Sequence, residues 1–450
     1  MRSLARILRD IGWQVSGSDM APDAASMLER IGVQFCLGHA AENISPDLDL
    51  VVFSDAIEPE NVELQRAGEW GIPTLRYFQA LGALASSRET IAVAGTHGKS
   101  TVAAMAGAIL VGAGADPTLA YGAEPLPQGP SRQPVSRAGR GRLMLVEACE
   151  YRSNFLHFHP QLAVLLGIEP DHFDCYPTID QLEHAFSLFA GAVNEGGRLL
   201  VRHECARSCR VAEATACRCE TFGLAGDAHW QAVDLRQDRG YYSFTVRYAG
   251  QELCRIDLRV LGAHQVVNAL AAAAIGMRHG VAPERVATEL SHFRGLQRRM
   301  EPVVRESEIT WIDDYAHHPT EVAAALAAVR EAHPNQRVCC VFQPHQASRT
   351  ERLLDETAIS LQNADSVLIT EIFRAREPAP CPGEVAAVDL ADAVRRHGQI
   401  VPPVHSFAAC GEQLAEQMRP GHVLVTLGAG NLRKIGHEFF DRLREGRAAG

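Results

Sequence analysis

The sequence is short of lysine, of positive charge and of long apolar runs. Lysine supplies only two of the 43 basic residues, Lys99 and Lys434, and the formal net charge is -11. Nucleic-acid-binding proteins usually need a basic surface to neutralise phosphates, so this balance argues against nucleic acid as a partner. The chain also lacks the roughly 18 consecutive apolar residues of a membrane span, so we expect no membrane contact.

Signals for export and for disulfide bonding are missing as well. Charged residues interrupt the apolar ones at the N-terminus, which differs from a signal peptide and predicts a cytoplasmic protein. The 12 cysteines are better explained as small buried side chains than as disulfides. The spacing of Cys205, Cys209, Cys217 and Cys219 beside His203 matches no standard zinc pattern, so we expect free thiols there.

Alternating helical and strand patterns organise the chain. A length of 450 residues is too great for one ordinary core. The alternation runs through the N-terminal part, restarts at the apolar strand Thr90–Ala94 and restarts again at Ile309–Asp314. We therefore predict an α/β protein with a Rossmann-like N-terminal domain (1–88), a central P-loop ATPase-like domain with a parallel sheet (89–300) and a C-terminal Rossmann-like domain (301–450).

The strongest motif is the loop Gly95–Ser100, with the sequence GTHGKS, between an apolar strand and a predicted helix. It is shorter than the common phosphate-binding pattern G-x-x-x-x-G-K-[ST]. Backbone N–H groups of a glycine turn and a helix N-terminus bind phosphate, Lys99 adds positive charge, and the hydroxyl of Ser100 can ligate Mg²⁺. We expect an ATP site here, and the alternative is a turn with incidental glycine and lysine.

Two later strand ends supply further polar groups. Glu147 follows the strand at 143–146, and His172 lies in the loop after the strand at 162–166. Because parallel strands end at the same edge of a sheet, we expect both side chains near the phosphate loop. Mg²⁺ prefers carboxylate and phosphate oxygens, so Glu147 fits as a ligand. His172 is a softer ligand, and the alternative for it is a purely structural role.

The C-terminal domain contains two polar clusters at predicted strand ends. Asp313–Glu321 brings together two aspartates, a tyrosine and two histidines, and helix capping explains only Thr320. Gln343–Thr350 ends the next strand, and its Arg349 can bind a carboxylate through two parallel donors. Ligands of α/β folds bind at such strand ends, so both clusters predict a substrate site.

Together these motifs resemble the Mur ligase family, and the resemblance runs through nearly the whole chain. The segments most similar to the alanine-adding branch of that family are Asp313–Glu321 and Phe342–Thr350. The other matching segments, in the same order as in the family, are Ala94–Thr101, Glu147–Glu150, Gly167–His172, Gly262–Asn268 and Arg298-Arg299.

The resemblance implies an ATP-dependent ligase of peptidoglycan synthesis that uses Mg²⁺. In the implied reaction, the carboxylate of UDP-N-acetylmuramate attacks the γ-phosphate of ATP, and the amine of L-alanine then displaces phosphate from the acyl phosphate. Sister ligases use a carbamylated lysine, and the lack of lysine between Lys99 and Lys434 fits the alanine-adding branch. We expect a monomer or a weak dimer.

Position by position, the resemblance also implies residue roles. Asn268 contacts the adenine, Asp314 the ribose and Arg298 the γ-phosphate. The full nucleotide set is Gly95, Thr96, His97, Gly98, Lys99, Ser100, Thr101, His264, Asn268, Arg298 and Asp314. The metal set is Ser100, Glu147 and His172, with contact to the substrate carboxylate as an alternative for His172. The substrate set is Asp19, Tyr315, His317, His345 and Arg349. The catalytic set is Lys99, His172, Arg298, His317 and Arg349.

The chain departs from the family pattern in three places. The family opens with a strand and a glycine-rich turn that carries the UDP diphosphate, and Met1 stands where that pattern ends. We therefore expect a truncated N-terminal domain, from a misassigned start, a trimmed chain or weak UDP-sugar binding, and we favour the misassigned start. Gln346 replaces an arginine usual in alanine-adding enzymes, which removes a charge. Gln265 and Gly167 replace asparagines, and these changes tune nucleotide binding.

Other functions remain open at this stage. A recycling ligase that attaches a whole peptide to UDP-N-acetylmuramate is the nearest rival enzyme. A catalytically silent paralogue that binds nucleotide is a rival of another class, motivated by the N-terminal departure and by Gln346. A P-loop kinase or transporter ATPase fits less well, because neither needs a third domain carrying Asp314, His317 and Arg349.

Overall fold

The computed structural model describes residues 1–22, 25–126, 136–306, 308–399, 401–402 and 406–448. Within these ranges, no helix is both long enough and apolar enough to cross a bilayer. The elements fall into an N-terminal region and two larger sheets, each with its own packed core.

The N-terminal region contains two separate parallel strand pairs, β1 with β2 and β3 with β4. Its strands are β1 (Ser16–Asp19), β2 (Gln34–Leu37), β3 (Val51–Phe53) and β4 (Thr74–Arg76). Its helices are α1 (Arg2–Asp10), α2 (Ala25–Arg30), α3 (Val62–Glu69) and α4 (Tyr77–Ala85). The expectation that a further strand belongs to this region stays a prediction.

A ten-stranded sheet forms the centre of the described chain, in the order β14-β13-β12-β11-β10-β9-β5-β8-β6-β7. Its strands are β5 (Glu89–Ala94), β6 (Thr118–Ala120), β7 (Ser136–Arg137), β8 (Leu143–Glu147), β9 (Leu162–Leu165), β10 (Arg198–Arg202), β11 (Arg218–Gly223), β12 (Trp230–Asp238), β13 (Tyr241–Tyr248) and β14 (Gln251–Leu261). The helices are α5 (Lys99–Gly112), α6 (Ile179–Gly191), α7 (Ala206–Glu213), α8 (His264–Arg278) and α9 (Pro283–His292).

This sheet is parallel from β6 to β12 and antiparallel at both margins, where β7, β13 and β14 pair. The predicted parallel sheet is therefore correct for the middle of a mixed sheet. The difference has a local cause, because β12 to β14 are joined by turns of a few residues. Short connections permit antiparallel pairing only, whereas parallel neighbours need a crossover.

The phosphate loop lies over the buried middle of this sheet. It connects β5 to α5, whose residues from Ser100 to Leu110 are all buried. Small side chains let α5 pack closely on α8, and a Cβ placed on Gly276 would lie 2.5 Å from Cγ2 of Ile109. Close packing of this kind fixes the position of the helix and of the loop that precedes it.

The C-terminal sheet has five strands in the order β15-β16-β19-β17-β18, and β15 alone pairs antiparallel among them. The strands are β15 (Glu301–Glu306), β16 (Ile309–Asp314), β17 (Val338–Phe342), β18 (Ser366–Ile369) and β19 (Val423–Leu427). The helices are α10 (Pro319–Ala332), α11 (Ala347–Arg352), α12 (Leu354–Ser360), α13 (Ala387–Arg396), α14 (Phe407–Gln417) and α15 (Arg433–Ala448). Helices cover both faces, as expected for a mostly parallel sheet.

Candidate active site

One cavity of about 450 Å³ lies between the central and C-terminal sheets. It is lined by loops that follow β5, β8 and β9 on one side and β16 and β17 on the other. Fifteen of the residues expected in the site line it: Thr96, His97, Gly98, Lys99, Ser100, Thr101, Glu147, His172, His264, Asn268, Asp314, Tyr315, His317, His345 and Arg349.

The phosphate loop has the backbone shape that its glycines predict. Gly95 and Gly98 have φ values of 133° and 83°, and a Cβ on Gly98 would lie 2.7 Å from Oδ1 of Asn268. Thr96 ties the loop to the next strand, because its N–H donates to the carbonyl of Gly167 at 2.9 Å. The loop therefore leaves backbone room close to the N-terminus of α5, where an anion binds well.

The ammonium of Lys99 is held at the floor of this loop. It donates to the carbonyls of Gly95 (2.5 Å) and Thr96 (3.1 Å) and to Oε1 of Glu150 (3.0 Å). Burial by itself lowers the pKa of Lys99, but the buried carboxylate of Glu150 outweighs it and the pKa is raised. Lys99 is therefore a fixed positive charge at neutral pH. Glu150 was missed in the sequence, although it lies inside a matched segment.

Ser100 and Glu147 meet as the metal prediction requires. The hydroxyl of Ser100 donates to Oε1 of Glu147 at 2.8 Å, and the N–H of Gly122 donates to Oε2 at 2.8 Å. His172 lies against a different carboxylate, with its Nε2 3.4 Å from Oε1 of Glu150. Of the three expected metal ligands, Ser100 and Glu147 are therefore in contact with each other, whereas His172 contacts Glu150.

His97 connects the phosphate loop to the C-terminal sheet. Its Nδ1 donates to Glu321 at 3.0 Å, its Nε2 lies 3.5 Å from Glu169, and its ring lies 4.6 Å from that of His318. Burial lowers the pKa of His97, but Glu321 and Glu169 raise it to about 9. The hydroxyl of Thr320 also donates to Glu169 at 2.5 Å. A protonated His97 therefore joins the two domains electrostatically.

This junction is also the one group of His and carboxylate atoms close enough to share a cation among the described residues. The ligand atoms of His97, Glu169 and His318 lie within 4.8 Å of one another. Glu169 and His318 were missed as site residues because their role depends on a partner in another domain. The cysteines expected as free thiols, Cys205, Cys209, Cys217 and Cys219, are free.

The far end of the cavity combines residues expected at the adenosine. Asn268 donates to Oε1 of Gln265 at 3.1 Å, and Nε2 of Gln265 lies 3.0 Å from Nε2 of His264. Burial lowers the pKa of His264 to about 4. Burial raises the pKa of Asp314 to about 6, although its carboxylate accepts the N–H groups of Met300 (2.6 Å) and Ala316 (2.7 Å).

Arg298 is placed differently from the expectation. Its Nη2 donates to the carbonyls of Gly428 (2.6 Å) and Gly430 (2.7 Å), and its Nε lies 3.5 Å from Asp313. It does not line the cavity, whereas the neighbouring Arg299 does. The backbone of Arg298 has a φ of 57°, and the guanidinium carbons of both arginines lie 5.0 Å from the ring centroid of Tyr315. The guanidinium that faces the cavity is therefore that of Arg299.

Arg349 reaches the cavity as expected, but it is already paired. Its Nε and Nη2 donate to Oδ1 of Asp171 at 2.9 and 2.5 Å, and its Nη1 donates to Nδ1 of His345. Burial, the charge of His317 and the guanidinium of Arg349 lower the pKa of His345 to about 2. Burial likewise lowers the pKa of His317 to about 4. Both imidazoles are neutral at physiological pH.

Asp19 stands apart from this cavity. It ends β1, and its carboxylate accepts the N–H of Ala21 at 2.9 Å. The structure does not bring it to the phosphate loop among the described contacts. Nearby, Ser18 and Asn43 donate to the two oxygens of Glu63 at 2.7 Å each. A role for Asp19 in binding the UDP end therefore stays a prediction.

Comparison with known proteins identifies the family. Residues 1–89 match the model described as Mur ligase family, catalytic domain; residues 93–276 match the Mur ligase middle domain; residues 298–430 match Mur ligase, glutamate ligase domain. The UDP-N-acetylmuramate–L-alanine ligase of Acetivibrio thermocellus is 37% identical over 443 residues, 98% of this chain and 93% of the relative. The UDP-N-acetylmuramate–L-alanine ligase of Geobacter sulfurreducens is 34% identical over 452 residues, which are 100% of this chain and 96% of the relative.

Solved structures show the same fold. The UDP-N-acetylmuramate-alanine ligase of Thermotoga maritima has a TM-score of 0.81 at 23% identity, over 99% of this chain and 97% of that one. A murein peptide ligase of Psychrobacter arcticus has a TM-score of 0.73 at 24% identity, over 98% of this chain and 96% of that one. These likenesses confirm the predicted three-domain α/β fold. With the full-length relatives, they show that the chain belongs to the Mur ligase family, the ATP-dependent ligases of peptidoglycan synthesis.

Proposed function

We propose that this chain joins L-alanine to the carboxylate of UDP-N-acetylmuramate at the expense of ATP. The observation that carries the proposal is a cavity that Lys99 and Ser100 of the phosphate loop line together with Tyr315 and His317 of the C-terminal domain. A ligase that activates a carboxylate with one substrate and captures it with another needs such a junction. The names of the full-length relatives supply the substrate pair.

The proposed reaction has two steps. An oxygen of the muramoyl carboxylate attacks the γ-phosphorus of ATP, the bond to the β-phosphate oxygen breaks, and ADP leaves. The amine nitrogen of L-alanine then attacks the acyl carbon, phosphate leaves, and the nitrogen loses a proton. Both steps gather negative charge in a small volume, so placement and charge neutralisation carry most of the catalysis. ATP and a UDP-sugar are cytoplasmic compounds, so we propose a cytoplasmic reaction.

The residues around the phosphate loop fit ATP and Mg²⁺. The loop keeps open the space that a Cβ on Gly98 would take, and Ser100 and Glu147 offer two hard oxygen ligands 2.8 Å apart. When bound, Mg²⁺ supplies charge neutralisation to the phosphate oxygens. Lys99 would exchange its carbonyl partners for phosphate oxygens. It would stay charged because the carboxylate of Glu150 raises its pKa. His172 would face the reacting carboxylate, since it contacts Glu150 rather than Glu147.

The C-terminal residues would position the substrates. We assign Arg299 to the phosphates, because Arg298 donates to the carbonyls of Gly428 and Gly430 instead. His317 is neutral, and its Nδ1 donates to the carbonyl of Tyr315 at 2.9 Å, which leaves Nε2 able to accept a proton. It is the candidate to receive the proton released by the amine.

A peptide-recycling ligase is the second candidate, and Gln346 is the observation that favours it. This residue is buried and uncharged, with a φ of 65°, at a position where alanine-adding enzymes usually carry arginine. Loss of that charge would suit a substrate whose carboxylate is farther from its amine. Parallel assays with L-alanine and with the tripeptide L-alanyl-γ-D-glutamyl-diaminopimelate separate the two.

The test measures phosphate release from ATP with UDP-N-acetylmuramate and L-alanine, added singly and together. We expect release only with both, and a loss of roughly 100-fold or more in Lys99→Ala because the positioned charge is gone. Lys434→Ala is the matched control, since its side chain is 67% exposed and outside the cavity. The same assay on a chain extended upstream measures what a further strand would add. ATP binding without any turnover, with either chain, would instead support the silent paralogue.

A further inference from the structure

The basic side chains that line the cavity differ in whether they are paired with a carboxylate. The described basic side chains that line it, histidines aside, are Lys99, Arg202, Arg299, Arg349 and Arg376. Lys99 is paired with Glu150, and Arg349 donates twice to Asp171. Arg349 therefore has little capacity left for a substrate carboxylate, although the sequence suggested it as the clamp.

Arg376 differs from these two because it has no carboxylate or hydrogen-bond partner within the described part of the chain. It lies in the loop that follows β18, exposed at the mouth of the cavity. Its guanidinium carbon is 4.1 Å from the ring centroid of Tyr151, across the boundary between the C-terminal and central domains. A cation held against an aromatic face keeps its N–H edge free for an anion.

Arg376 lies close to the part of the cavity in which the muramoyl carboxylate would be activated. The ring of Tyr151 lies 5.2 Å from that of His172, which contacts Glu150 beside Lys99. On the other side, Phe373 in the same loop as Arg376 accepts the N–H of Gln346 at its carbonyl (2.9 Å), and its ring lies 5.7 Å from that of His345. Arg376 thus lies between the phosphate end and the His317–His345 pair.

Two further arginines, Arg202 and Arg299, line the cavity. The guanidinium carbon of Arg299 lies 5.0 Å from the ring of Tyr315, and its charge acts on Asp314. Arg202 ends β10, and its Nε lies 3.7 Å from Glu204. Arg202 is therefore paired with Glu204, and Arg299 is the arginine that the proposed function assigns to the phosphates.

We propose that Arg376 binds the α-carboxylate of the incoming amino acid, an inference that rests on the proposed function. An amino acid must present its amine to the acyl carbon while its own carboxylate is held away. A guanidinium suits that task because it bonds a carboxylate through two parallel donors. At this site Arg376 takes the place of the charge that Gln346 lacks.

Steady-state kinetics of Arg376→Ala tests the proposal. We expect the KM for L-alanine to rise roughly 10- to 100-fold, the value of a charge-assisted hydrogen bond. The KM values for ATP and UDP-N-acetylmuramate should change less than about 2-fold if those ligands contact other residues. Arg376→Lys should recover part of the loss, since it keeps the charge but not the two-donor edge. Arg396→Ala is the control, an exposed arginine of the same domain outside the cavity.

A second substrate separates carboxylate binding from a general defect. L-Alaninamide has the amine but no carboxylate, so the wild type should prefer L-alanine over it, and Arg376→Ala should lose that preference. An unchanged KM for L-alanine, or equal losses for alanine and alaninamide, would overturn the role of Arg376 but not the proposed function. A wild type that shows no amino-acid-dependent phosphate release would overturn the proposed function and this role together.

Discussion

Arg349 of the C-terminal domain donates two hydrogen bonds, of 2.9 and 2.5 Å, to a single oxygen of Asp171 in the central domain. Both side chains are almost fully buried, with exposed fractions of 4% and 7%. Burial alone would raise the pKa of Asp171, but His172 and Arg349 hold it well below its ordinary value. The pair therefore fixes the approach of the two domains at the substrate end of the cavity.

Asp171→Asn should destabilise the protein by about 3 kcal/mol, because it leaves the buried guanidinium of Arg349 without its counter-charge. Urea unfolding measures the loss, and Glu195→Gln, an exposed carboxylate away from the cavity, should change little. The double variant Asp171→Asn with Arg349→Gln should lose less than the sum of the single changes. Strict additivity would contradict a direct pair.

The junction at His97 predicts a dependence on pH. Its pKa rises from 6.5 to about 9 in the folded protein, so its stabilising contribution is complete below pH 6.5 and is lost as pH rises through 9. The partner Glu169 has its pKa lowered from 4.5 to about 2, first by its hydrogen bond with His97. Its stabilising contribution is therefore complete above pH 4.5 and is lost only as the pH falls through about 2.

Thermal unfolding of the wild type and His97→Asn from pH 6 to pH 10 checks this prediction. The difference in midpoint should be largest near pH 6 and should shrink towards zero above pH 9. A difference that stays constant over the range would show that His97 acts by packing rather than by charge.

Gly98→Ala should weaken ATP binding. Gly98 has a φ of +83°, and an added Cβ would lie 2.7 Å from Oδ1 of Asn268, so the change strains the turn and displaces the asparagine. We expect the Kd for ATP to rise roughly 10-fold, from strain of 1 to 3 kcal/mol. Gly114→Ala is a matched control, because Gly114 has a φ of +80° with nothing within 4 Å of its Cβ position. Equal effects on ATP binding would refute the contact with Asn268 as the cause.

Substitutions at the adjacent residues Arg298 and Arg299 should have different effects, on stability and on activity respectively. Arg298→Ala removes a donor to the carbonyls of Gly428 and Gly430, so urea unfolding should show a loss of about 1 to 3 kcal/mol. Arg299→Ala should leave stability nearly unchanged and should reduce phosphate release with both substrates present at least about 10-fold. The reverse pattern would restore Arg298 to the phosphates.

The sequence predicted the elements whose causes are local. The loop Gly95–Ser100 needs glycine φ values and a following helix, and both are written in adjacent residues. The contact of Ser100 with Glu147 followed from parallel strands that end at one sheet edge. Strand and helix periodicity predicted the α/β architecture, but not the antiparallel margins, because pairing direction depends on how tightly β12, β13 and β14 are connected.

The directions of side chains and their partners were decided by the tertiary structure alone. Arg298 and Arg299 are neighbours with the same chemistry, yet Arg298 donates to the carbonyls of Gly428 and Gly430, and only Arg299 lines the cavity. Arg349 and Asp171 are 178 positions apart, so no sequence pattern could show that the expected clamp is already paired. The amino-acid sequence determines which charges the chain carries, whereas the packing of separate domains decides which of them are paired and which, like that of Arg376, have no carboxylate partner among the described residues.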